Sequence, residues 1–149
     1  MSRTITQTIE HLRRLEAPEL LIHVAEGGSA PGKLRWQIQT PKTFYDLIDE
    51  FPGNMPYENK LIPLWENNGD NITAYVDADS PFVIRYYYED PEDSFETIGT
   101  TINDAIQRLL TWLLVETGAE PDDIQAAAEA CGIADPSRFV QRVQDEADP

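Results

Sequence analysis

At 149 residues the chain has the length of one domain with a single substantial core. Its 9% aromatic content, with three tryptophans, excludes a disordered polypeptide. Eleven Lys and Arg against 27 Asp and Glu leave a net charge of −16, which repels nucleic acid and anionic membranes and favours basic proteins or cations.

Cys131 is the only cysteine, so no internal disulfide forms, which suits a reducing compartment. Residues 1–7 lack the apolar stretch of a signal peptide, and no apolar run approaches the ~20 residues of a transmembrane helix. The expectation is a soluble, cytoplasmic protein.

In chain order, Ile5, Ile9, Leu12 and Leu15 recur at near-helical spacing, with Ser2 or Thr4 as cap and Pro18 as terminator. Leu20, Ile22 and Val24, and then Leu34, Trp36 and Ile38, alternate with their neighbours around a Gly-rich connector. A hairpin over 20–39 is the simple reading, with a short helix over 19–26 as its alternative. Thr40-Pro41-Lys42 opens a helix, Thr40 capping and Pro41 at its first position, that buries Phe44, Leu47 and Ile48.

Leu61 to Val76 reads as a hairpin. Its turn, Asn67-Asn68-Gly69-Asp70, consists of residues that tolerate positive φ. A second turn at Asp77 to Pro81 leads to a third strand, Phe82 to Tyr88, whose two faces are both bulky, as in a central strand. After an acidic loop, Thr101 and Asp104 resemble a capping box. The helix they start buries Ile102, Ala105, Ile106, Leu109, Leu110 and Leu113, is widened by Trp112 and Leu114, and stops at Gly118. Two shorter helices follow, Asp122 to Cys131 and Asp135 to about Gln144. The class is α+β, a mainly antiparallel twisted sheet covered by helices. We expect one domain over 1–149, with a core at about 41–117 and a helical extension at about 119–145.

Catalytic signatures are weak. Gly27 to Lys33 satisfies G-x-x-x-x-G-K, but Leu34 stands where a phosphate loop has Ser or Thr, and Pro31 removes one amide donor. His11 and His23 form no metal-ligand spacing, and Cys131 has no activating histidine beside it in sequence. Asp77 and Asp79 carry only a fragment of a calcium loop, and G-x-S-x-G is absent. No catalytic residue, cofactor or metal is expected.

Charge placement says more. From Asp77 to Glu96 there are seven acids and one base, whereas six of the eleven bases precede Thr43. Such an acidic centre serves solubility or a binding surface. Nearby aromatic residues, Tyr57, Trp65 and Tyr86 to Tyr88, favour binding.

Three segments resemble the SUKH superfamily, the Smi/Knr-type fold of bacterial immunity proteins and fungal cell-wall regulators. Pro41, Phe44 and Leu47 resemble its Leu-Pro helix entry. Leu61-Ile62-Pro63-Leu64-Trp65 with Asn68-Gly69-Asp70 resembles its first hairpin, and Ile102 through Leu113 its following helix. The resemblance spans about 41–117, and Phe51-Pro52-Gly53-Asn54 departs from the family's Asn-Gly-Gly. It implies no catalytic residues and a toxin-neutralising partner role, the toxin being a basic, nuclease-type domain. The expected contact residues are Glu66, Asn67, Asn68, Asp70, Asp77, Asp79, Glu89, Asp90, Glu92 and Asp93. A regulatory scaffold of the same fold is the alternative function, and a small metal-dependent hydrolase a more distant one.

Overall fold

The structure is a computed structural model that describes residues 5–51, 53, 57–67, 70–89 and 95–147, without the side chains of Lys33, Glu58 and Ala147. Its centre is a meander of four antiparallel strands in the order β1 (Leu61–Asn67), β2 (Asn71–Val76), β3 (Phe82–Tyr87) and β4 (Glu96–Gly99). The described helices are α1 (Ile5–Arg14), α2 (Glu19–Ala25), α3 (Lys42–Glu50), α4 (Ile102–Glu116), α5 (Pro121–Ala130) and α6 (Pro136–Ala147). This is the α+β arrangement expected from the sequence, with β3 inside the sheet between β2 and β4.

The sheet buries both faces. On one, Ile72, Ala74 and Val76 of β2 and Ile84 and Tyr86 of β3 pack against Phe44 and Ile48 of α3. On the other, Ile62, Leu64, Tyr75, Val83 and Ile98 join a larger core with the apolar sides of α1, α2, α4, α5 and α6. The period-2 alternation of β2 and β3 therefore sorts side chains between two cores. A bulge between Pro63 and Trp65 shifts the β1 register and puts the consecutive residues Leu64 and Trp65 into the same core.

Residues 20–39 are not a hairpin. The helical alternative forms over Glu19–Ala25, and Gly32–Trp36 is a 3-10 helix. Five of the seven α2 residues are buried, and Glu19 and His23, four positions apart, face solvent. Burial nearly all round removes the helical period, so Leu20, Ile22 and Val24 read as strand alternation. Trp36, expected in line with Leu34 and Ile38, is half exposed, and the Arg35 guanidinium lies 4.9 Å from its ring centroid. Among the described residues no strand precedes the phosphate-loop lookalike. The Asp123 carboxylate stands against Gly32, where it opposes an anion.

Helix ends follow local chemistry. Glu16, at φ 55°, terminates α1, and the Pro18 carbonyl accepts from the Leu21 amide 3.0 Å away to begin α2. Ile5, expected on the buried face of α1, is exposed, whereas Thr8 is buried and accepts from the Tyr45 hydroxyl at 2.7 Å. The Thr101 hydroxyl accepts from the Asp104 amide at 3.1 Å, the N-cap expected for α4. After α5, Gly132 at φ 73° lets the Ile133 amide reach the Ala128 carbonyl at 3.0 Å, closing a Schellman turn. Asp135 then caps α6, accepting from the Arg138 amide at 3.4 Å.

Candidate functional site

The meander divides the expected contact residues between opposite ends of the sheet. Asp70 in the β1–β2 turn and Glu89 beyond β3 lie at one end, joined by the Tyr88 amide donating to the Asp70 carbonyl at 3.0 Å. Asp77 and Asp79 occupy the β2–β3 turn at the other end. A six-residue strand separates the two turns by about 20 Å, so they are two surfaces rather than one. Asp70, Asp77, Asp79 and Glu89 are all exposed. Arg14 pairs with Asp77 at 3.0 Å and moderates the charge of the second end. Asn68, Asp90, Glu92 and Asp93 lie outside the described residues.

Glu66 is not a surface contact. It is 4% exposed and accepts from the Thr43 hydroxyl at 3.0 Å, the Phe44 amide at 3.3 Å and the Tyr88 hydroxyl at 2.7 Å. Thr43 and Phe44 are the second and third residues of α3, so Glu66 caps that helix from a neighbouring strand. The expected cap, Thr40, instead donates to the Val24 carbonyl at 2.6 Å and ties α3 to α2. A carboxylate at a helix N-terminus satisfies orphan amides and complements the helix dipole. Burial, and then the neighbouring Glu66, push the Tyr88 hydroxyl pKa strongly upward. Asn67 is likewise engaged, its amide donating to Gln37 at 2.7 Å.

Beside the Asp70 end lies a groove that the sequence reading did not anticipate. The strand register pairs Trp65 with Thr73, Thr73 with Arg85 and Arg85 with Glu96, a row that crosses all four strands. The next rung pairs Asn67 with Asn71 and Asn71 with Tyr87. Here the helix-covered face of the sheet changes from apolar to polar. Above it, Ala105, Arg108, Leu109 and Trp112 form one stripe of α4 and close a cavity of about 220 Å³. Trp112, expected to widen the buried face of α4, is 42% exposed at this mouth, and Tyr87 is 41% exposed.

Arg85 forms an ion pair with Glu96, while its Nε–H is buried without a hydrogen-bond partner among the described residues. An orphaned buried donor costs about 1–3 kcal/mol. Arg108 makes no ion pair among the described residues, and no Asp or Glu among them lines the groove. The available signal was a charged residue, Arg85, inside an aromatic strand. Reading it required the register.

Cys131 is buried at the end of α5, and burial pushes its thiol up to about 12. His23 packs its ring over Gly28. Among the described residues no group of three His, Cys, Asp or Glu gathers as a metal site, and no helix is long and apolar enough to cross a membrane. Comparison with protein-family models, curated proteins and solved structures yields no match.

Proposed function

We propose that this chain is a non-enzymatic protein-binding domain, an immunity protein of SUKH type whose partner is a basic, nuclease-type toxin domain. The motifs at Pro41 to Leu47, Leu61 to Asp70 and Ile102 to Leu113 support the family reading, and the net charge of −16 supports the choice of partner. The observation that carries it is the exposure of Asp70 and Glu89 at one end of the sheet, where the Tyr88 amide beside Glu89 donates to the Asp70 carbonyl. A nuclease holds its substrate in a basic groove. An acidic surface accelerates encounter with such a groove and covers it, so neutralisation needs occlusion and no chemistry by this chain.

Co-expression with the toxin-like product of a neighbouring gene, followed by pull-down and association kinetics, tests this reading. Reversal of Asp70 and Glu89 to lysine slows association by about tenfold at low salt. The same change at Asp79, on the opposite end, has a smaller effect. Failure to bind, or binding indifferent both to salt and to the Asp70 and Glu89 reversal, overturns the proposal.

A further inference from the structure

We infer that the groove between the sheet and α4 binds a small, flat carboxylate, a role that is independent of the protein-docking reading above. The groove is concave, and its lining is built from both layers of the fold. Trp65, Tyr87 and Trp112 supply aromatic surface, and Arg85 and Arg108 supply cations. In a chain with 11 bases and 27 acids, two arginines border one cavity with no acid among its described lining residues.

The buried Nε–H of Arg85 is the second observation. Folding has stripped water from this donor without supplying an acceptor among the described residues, on a side chain that borders the cavity. A carboxylate held by the exposed Arg108 guanidinium would supply the missing acceptor once the Arg85 side chain turns toward the cavity. Asn71 and Thr73 add neutral polar groups from the neighbouring strand.

Charge and size decide the class of ligand. Glu96 already offsets the Arg85 cation, which leaves Arg108 as the lining cation with no ion pair among the described residues. One net positive charge within a strongly anionic protein suits a monoanion better than a phosphate dianion. A volume of about 220 Å³ admits a single ring or short flat acid and falls below the roughly 300–1,000 Å³ of sites for drug-sized ligands. Aromatic walls beside arginine favour a planar body, which stacks while its carboxylate is bound.

The test titrates the purified full chain with benzoate and indole-3-carboxylate, with benzamide as the uncharged match, following tryptophan emission and the Arg85 Nε–H resonance. Saturable binding with a shift of that resonance is expected, weakened by about tenfold for benzamide and for Arg108→Ala. Arg108 is exposed, so that variant reports on the groove with the fold intact, as an unchanged circular dichroism spectrum would verify. Arg85→Lys, which keeps the cation and removes the Nε–H, also weakens binding. No saturation up to about 10 mM, equal affinity for benzamide, or unchanged affinity in Arg108→Ala overturns the inference. Binding of a peptide with a free C-terminal phenylalanine, but of neither free acid, also overturns it by assigning the groove to a partner's chain end.

Discussion

The hydroxyl of Tyr88 donates to Oε1 of Glu66 across 2.7 Å, and the same oxygen accepts the Phe44 amide of α3 at 3.3 Å. One carboxylate thereby links the end of β1, the residue after β3 and the helix that covers one face of the sheet. Tyr88→Phe removes one of three donors to a buried anion and is expected to lower stability by about 1–3 kcal/mol in urea denaturation. Combination with Glu66→Gln gives less than the sum of the two single losses, because both act on one network. Strict additivity would show that the hydroxyl and carboxylate act independently.

Alkaline pH has a defined sign here. Cys131 titrates at 9.0 when unperturbed and at about 12 in the fold, so the folded state keeps a proton that the unfolded chain loses. Its stabilising contribution is complete below pH 9 and diminishes as pH rises toward 12. Tyr88 acts in the same direction above its ordinary value of 10. Denaturation midpoints measured from neutral to strongly alkaline pH should fall, and less steeply in Cys131→Ala. Iodoacetamide should label the native protein slowly and the urea-unfolded protein quickly.

At the start of α4 the acid limit has the opposite sign. Hydrogen bonds from the Thr100 side chain and amide, and then from Thr101, hold the Asp104 carboxyl below its ordinary 3.8. Whatever stability this supplies is present above pH 3.8 and disappears as pH falls through the lower folded value. A carboxyl carbon NMR titration should show the depressed midpoint. Thr101→Ala removes the cap itself and should cost about 1 kcal/mol at neutral pH.

Gly132 isolates backbone strain from packing. Its φ is 73°, and a Cβ built there meets nothing within 4 Å. Gly132→Ala should therefore destabilise by about 1–2 kcal/mol with no change in the core. A thermal melt checks the magnitude. Retained near-ultraviolet circular dichroism checks that packing persists.

Local signals explain which parts were legible in the sequence. The Leu61–Val76 hairpin announces itself through turn residues between apolar runs, and α4 through a clear helical period with Thr101 at its head. The four-residue β4 was missed because it contributes a single buried apolar side chain, Ile98. Glu66 looked like a surface acid because its partners are 22 residues away in either direction. The groove was hidden for a related reason. Trp65, Thr73, Arg85 and Arg108 are scattered along the chain, and cross-strand register with one stripe of α4 brings them together.

The isolated bridge between Gln39 and Glu66, with amide-to-carbonyl distances of 2.9 Å in both directions, occupies part of the outer rim of β1. On the far side, the rim belongs to β4, four residues long and led by Glu96. A second copy seeking to extend the sheet therefore finds one margin plugged and the other brief and charged, a combination that discourages ribbon growth. Crowded copies of this protein should therefore resist joining through shared backbone ladders.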